Sequence, residues 1–504
     1  MKILYINWSP LQKGAEVGGG VNIYTQSIAV AMAKKGHEVY SLSSGLTYNL
    51  AGGIYIKRKE DYEATVNYEV INTPNLAPGF FNYESPAQDV SEPLIEEQFS
   101  LFLKDISPDV VHFNNIEGFS ANCIKIAKFS GAKVIYSLHN YHPVCNQIGL
   151  LYQNREICYD FKDGARCLDC ITPPPIKSET NLRKIKYLAS NVTEGELLLG
   201  ALKYIYTLLK ALFKTLQIGI KVIGSILKSR KERKESLEKP IESKVHPASK
   251  LTPEDMKFAG FPYKNRRAGM IDAINQADCV LAVSDWVNLV YSKMGIDEAR
   301  LHTCHIGSAI ADIAHNNPRI PTKTHLNKPL NLVYLGISDP HKGLPFLLDS
   351  LNQMDGDVLS KIHLHLYARG YFYLQDSINQ LADRLDKLTI HDGYTYSAIP
   401  KILANMDMGI VPPIWWDNAP QVVFEMLAMK VPVLGAKIGG IPDFIRHMDN
   451  GLLFEPGNSS DLIEKITEIA NNPRLVDQFK AKITPMKTTM EHADELEVFY
   501  KKYN

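Results

Sequence analysis

Trp415-Trp-Asp417-Asn-Ala-Pro-Gln-Val-Val-Phe-Glu425-Met-Leu-Ala-Met-Lys-Val-Pro432-Val-Leu-Gly-Ala-Lys-Ile-Gly439-Gly440 is the most informative stretch of the chain. Ahead of it the short apolar run Met408 to Val411 reads as a strand. Asn418 is a good helix N-cap, Gln421 three places on completes a capping-box-like start, and Pro420 fits the first turn. Glu425 then falls about two turns inside the helix. Val431 to Leu434 is the next strand, before the Gly439-Gly440 turn. Strand, helix and strand in this order predict a parallel β–α–β unit.

The alternation continues outward. Asn331 to Leu335, Ile362 to Leu366 and Leu388 to His391 read as strands of the same domain, and Asn316, Asn317, Pro318 and Pro321 mark a linker before it. Ile3 to Ile6 opens a first α/β domain and is followed by the Gly18-Gly19-Gly20 loop. A helix over Val21 to Lys35 carries Ile23, Ile28, Ala31 and Met32 at helical spacing and stops at Gly36. Glu38 to Leu42, Asp109 to Phe113, Lys133 to Leu138, Ala277 to Val283 and His302 to Ile306 supply its other strands. The fold class is α/β: two Rossmann-like, doubly wound domains facing across a cleft, where ligands of open α/β sheets bind. The first spans 1–175 and 256–315, with a helical insertion at 176–255. The second spans 316–485, and a helix over 486–504 is placed to return to the first.

With 504 residues, 45% hydrophobic and 22% charged, the chain has globular composition, which excludes bulk disorder, collagen and coiled coil. Lys+Arg and Asp+Glu both number 55, so no global basic field for nucleic acid exists. Seven cysteines are too few and odd in number for a secreted disulfide scaffold, and the apolar run at the start is too short for a signal peptide. The expected compartment is the cytoplasm.

The helix start at Asn418, Ala419, Pro420 and Gln421 presents free N–H groups that suit a diphosphate without a metal. Glu425 is placed to accept hydrogen bonds from a ribose, and Asp417 to bond sugar hydroxyls. Lys342, in Gly336-Ile-Ser-Asp-Pro-His-Lys342-Gly343, follows a strand and opens a helix. Gly19 and Gly20 let backbone N–H groups approach phosphate closely. Their spacing is not G-x-G-x-x-G, so a nicotinamide fingerprint does not fit. His139 ends the strand Val134 to Leu138, where a parallel sheet presents catalytic groups. His112 also ends a strand and reads as structural or acceptor-facing. No metal-binding Asp-x-Asp signature stands out.

These segments resemble the family-4 retaining glycosyltransferases of the GT-B fold along nearly the whole chain outside the insertion. Asp417 and Glu425 match the family's Glu-x7-Glu region, with Asp417 in place of the usual Glu; the small residues, Pro-Val strand and Gly-Gly turn follow as in the family. Lys342 matches the lysine that neutralises the donor diphosphate there. The family's arginine position is Ile337 here, and Lys437 or Arg369 is placed to substitute. The resemblance implies that Gly19 and Gly20 line the donor and acceptor cleft, and that His139 lies near the transferred sugar. Arg266 or Arg267 matches a family arginine ahead of the Asn275 to Ser284 segment.

Cys145, Cys158, Cys167 and Cys170 lie close together, the last two as Cys-x2-Cys. A structural zinc site, free thiols and a disulfide are the readings this pattern allows. Cys123, Cys279 and Cys304 read as core.

In the insertion, Lys203, Lys210, Lys214, Lys221 and Lys228 fall within roughly 40° of one another on a helix wheel, under a wide apolar face. The longest charge-free run there is six residues, short of the ~20 needed to cross a bilayer. The expectation is a helix lying in a membrane interface through 197–234, against the alternative of packing on protein.

The function expected is a metal-independent retaining hexosyltransferase at the inner face of the membrane. It would move a sugar from a nucleoside-diphosphate sugar to a glycan or lipid-linked acceptor in polysaccharide or glycolipid synthesis, needing no catalytic cofactor. The alternatives are a non-catalytic nucleotide-sugar-binding scaffold and a GT-B-fold nucleotide-sugar epimerase.

Overall fold

The computed structural model describes residues 1–172, 176–190, 253–317 and 328–502. The lysine-striped segment 197–234 and most of the linker, 318–327, lie outside the described residues.

Short apolar runs become buried strands because both faces of a parallel sheet are covered by helices. In the first domain these are β1 (Lys2–Ile6), β2 (Glu38–Thr47), β3 (Tyr55–Arg58), β4 (Thr65–Ile71), β5 (Val110–Phe113) and β6 (Lys133–Leu138). A two-stranded hairpin, β7 (Leu151–Tyr152) and β8 (Glu156–Ile157), stands apart; β9 (Cys279–Ala282) and β10 (Leu301–Thr303) complete the sheet. The order is β10-β9-β6-β5-β1-β2-β4-β3, parallel except for β3, which runs antiparallel to β4.

The second sheet holds β11 (Leu330–Ile337), β12 (Ile362–Arg369), β13 (Lys387–His391), β14 (Met408–Val411), β15 (Val433–Ala436) and β16 (Gly451–Phe454). Its order is β13-β12-β11-β14-β15-β16, all parallel. Each sheet is the centre of its own hydrophobic core. The chain therefore has two Rossmann-like domains.

The helix Thr489–Lys502 packs on the first domain, against the helix Gly19–Lys34. Tyr500 reaches the sheet there, its hydroxyl 3.2 Å from that of Tyr5 and 2.7 Å from Nδ1 of His112. His112 is fully buried, with Nε2 2.7 Å from Ser137 Oγ, and has a structural place. Among the described residues no helix is long and apolar enough to cross a membrane.

Candidate functional site

β11 and β14 are neighbours, and the chain leaves them in opposite directions across the sheet. Such a switch point opens a crevice at the strands' carboxyl ends. Both loops that leave it carry predicted residues. Gly343, at φ +82°, closes the first loop against the second: a Cβ there would lie 1.7 Å from the Pro412 carbonyl oxygen. Gly439, at φ +58°, does the same for Asp417, whose carbonyl oxygen would meet a Cβ at 2.2 Å. Within this packing Lys342 Nζ lies 2.7 Å from Asp417 Oδ2 and 4.9 Å from the centre of the Trp415 ring.

The expected capping box is not formed. The helix spans Gln421–Ala428, with Pro420 at its N-cap and no side-chain cap bond. Asn418 lies two residues further out, and its amide is used across the domain boundary. Nδ2 donates to the His139 carbonyl at 2.7 Å, while the Asn418 carbonyl accepts from Ser284 Oγ at 2.6 Å. Gln421 Nε2 likewise donates to the Gly20 carbonyl at 2.8 Å. The two supposed cap residues join the domains, and no side chain caps the helix start.

Between the domains lies a cleft of about 640 Å³, lined by Gly19, Gly20, His139, Lys342, Arg369 and the segment Asp417 to Gln421 with Glu425. Four buried polar atoms of its lining have no hydrogen-bond partner: His139 Nε2, Trp415 Nε1, Asn418 Oδ1 and Glu425 Oε2. Buried polar groups are nearly always paired, so four around one cleft point to a ligand that pairs them. Burial pushes the Glu425 carboxyl up to about 8. Burial, with a smaller effect from His492, pushes the His139 imidazole down to about 3, so it is neutral at pH 7. Its ring packs 4.5 Å from that of Tyr24.

Arg369 is aligned with Ile337 across the β11–β12 pair and makes no ion pair among the described residues. Its backbone thus stands beside Ile337, the family's arginine position, and the residue lines the cleft. Lys437 does not line the cleft; it is solvent-exposed and pairs with Glu455 at 3.4 Å. Arg266 is not at the cleft either. It is fully buried in the first domain, with Nε 2.6 Å from Asp89 Oδ2 and one guanidinium nitrogen 2.9 Å from His142 Nε2. A buried carboxylate holds it there. Arg267 is packed over the Phe161 ring at 3.4 Å, beside the cysteine cluster. The sequence does contain one Asp-x-Asp, Asp355-Gly-Asp357, but it caps a short helix, with Asp355 Oδ1 accepting from the Asp357 amide at 2.9 Å, and does not line the cleft. Sequence reasoning missed Trp415, Tyr394 and Tyr396, which line the cleft; aromatic residues near Asp417 were the available signal.

Residues 329–472 match the family model described as glycosyl transferases group 1. Over 143 residues, 28% of this chain and 39% of the other, the sequence is 24% identical to an uncharacterized glycosyltransferase, MJ1178, of Methanocaldococcus jannaschii. The chain thus spans about two fifths of the length of that relative. Among solved structures, sucrose-phosphate synthase from Thermosynechococcus elongatus superposes with a TM-score of 0.57 at 13% identity, covering 100% of this chain and 98% of the other. The fold is GT-B. Anabaena Alr3699/HepE, solved with UDP and glucose, gives a TM-score of 0.52 at 12% identity over 100% of both chains. In GT-B terms, the family-model match covers the second domain and both loops at its switch point.

Proposed function

We propose that this chain is a glycosyltransferase that takes a sugar from a nucleoside-diphosphate sugar and retains its anomeric configuration. The observation that carries this reading is the buried Glu425 carboxyl, with Oε2 unpartnered, in one cleft with the unpartnered Nε2 of His139 and the Arg369 guanidinium. Each group has a separate task. Glu425 bonds the ribose hydroxyls. Lys342, Arg369 and the uncapped helix start at Gln421 stabilise the charge that develops on the leaving diphosphate. Together they supply that positive potential without calling on a metal. Neutral His139 hydrogen-bonds a hydroxyl of the transferred sugar. The transition state is oxocarbenium-like, as in glycoside hydrolysis.

The acceptor is a glycan or a lipid-linked sugar in polysaccharide or glycolipid synthesis. The lysine-striped sequence of 197–234 supports work at a membrane surface, on the cytoplasmic side. A second reading, a nucleotide-sugar-binding scaffold, is favoured by one observation: Lys342 is already neutralised by Asp417.

A thermal-shift screen against UDP, GDP, ADP and their sugars identifies the nucleotide, because a ligand that binds the folded state raises its apparent stability. Turnover of the stabilising donor supports the transferase; binding without turnover, with acceptors supplied, supports the scaffold. No shift with any of them contradicts both.

A further inference from the structure

We propose that Cys145, Cys158, Cys167 and Cys170 bind one zinc ion that fixes a wall of the cleft. This inference stands whether or not the chain transfers sugar. The four thiols come from separate stretches of one loop, and all line a cavity of about 20 Å³, room for a single ion. None forms a disulfide. Cys167 and Cys170 supply the tight pair of a thiolate zinc site. The turn of the β7–β8 hairpin already serves a sulfur, its Gln153 amide donating to Cys170 Sγ at 3.5 Å. Hydrogen bonds of this kind support a metal-bound thiolate.

Charge separates zinc from free thiols. The Arg267 guanidinium is packed into the same cavity, and among the described residues its one hydrogen bond is to Met294 Sδ at 3.8 Å, with no carboxylate partner. A half-buried cation without a counter-charge bears a desolvation cost, which the Phe161 ring beneath it offsets in part. Four neutral thiols leave that charge standing. Four thiolates on a divalent ion carry two negative charges and compensate it. Among the described residues, the groups whose ligand atoms already stand close enough to share one ion are Cys304–His492–Glu495 and Asp285–His305–Asp443, and the four sulfurs stand further apart than these. Binding therefore draws them inward, to about 2.3 Å from the ion, and releases the four thiol protons to solvent. The Cys304 group is a poorer site despite its closer atoms, since Lys487 already holds the Glu495 carboxylate at 2.5 Å.

The same loop supplies Gln147, Ile148 and Leu151 to the cleft, and Tyr159 packs edge-on to Trp416 of the second domain at 5.0 Å. Zinc thereby fixes the loop against both domains.

The test is elemental analysis of the purified full chain, with titration of native thiols before and after chelation. The expected result is about one zinc per chain, with Cys145, Cys158, Cys167 and Cys170 unreactive until a chelator strips the ion. Cobalt exchanged into the site then shows the visible bands of a tetrahedral thiolate. Cys170→Ser lowers metal content, and Cys123→Ser, in the core, leaves it unchanged. Should Cys170→Ser fail to fold, the cobalt spectrum of the wild-type chain decides. A chain dialysed against zinc that holds none, with the four thiols reacting at once or found as disulfides, overturns the proposal.

Discussion

Lys342 Nζ lies 2.7 Å from Asp417 Oδ2, so the two loops leaving the switch point are joined by an ion pair inside the cleft. A diphosphate entering there must share Lys342 with Asp417. Arg369 has no such competitor among the described residues, and it lies beside Ile337 in register.

Arg369→Ala is accordingly expected to weaken nucleoside-diphosphate binding by about tenfold or more, the size of one charge-assisted hydrogen bond. Ile337→Arg in that background is expected to recover most of the loss, because the two positions are adjacent across the strand pair. Isothermal titration with the diphosphate checks both. No recovery would remove Arg369 from the diphosphate site.

Lys342→Ala is expected to lower kcat/KM for the donor by roughly 100-fold, the scale of losing one preorganised donor to developing charge. Steady-state kinetics against donor concentration measure it.

Glu425 makes stability depend on pH. Burial raises its carboxyl from 4.5 to about 8, so the folded chain keeps a proton that the unfolded chain has lost across that window. Stability contributed by this group therefore falls as pH rises from 4.5 to 8 and levels off above. Glu425→Gln cannot ionise. Its melting temperature is expected to match the wild type near pH 5 and to exceed it increasingly toward pH 8. A difference that stays constant with pH would contradict the buried, unpartnered carboxyl.

His139 is neutral across the working range, its value held at about 3. It is expected to contribute no inflection near the ordinary imidazole value to the pH profile of kcat. His139→Ala should lower kcat by about tenfold or more, for one lost hydrogen bond, and leave nucleoside-diphosphate affinity unchanged. The two measurements together separate a sugar contact from a fold defect.

Much of this architecture was legible where strands are buried on both faces. Lys133–Leu138 and Met408–Val411 are short, largely apolar stretches read with their observed limits. β4 was missed because Asn67 and Glu69 interrupt its apolar pattern, although both are buried and Glu69 pairs with Lys59 at 3.2 Å. Asn418 shows a local preference overridden by tertiary contact: its amide suits a helix cap, yet the His139 carbonyl takes it. Arg369 is 32 places from Ile337 in sequence, and only strand register brings them side by side. Arg266 matches a family arginine in sequence, and its buried place was not legible because the carboxylate that holds it, Asp89, is remote in the chain.

That buried pair has its own consequence. Arg266→Met leaves the Asp89 carboxylate buried without its cation, and is expected to destabilise the first domain by about 3–5 kcal/mol. Urea unfolding of the full chain, followed by a probe in that domain, measures the loss.

The central claim is that Glu425 and its cleft turn over a nucleotide sugar. The most direct measurement is the release of nucleoside diphosphate from the stabilising donor by wild type and Glu425→Ala, with folding of both verified by circular dichroism. The account predicts turnover by the wild type and a loss of roughly 100-fold or more in the variant. Equal turnover by the two proteins would contradict it.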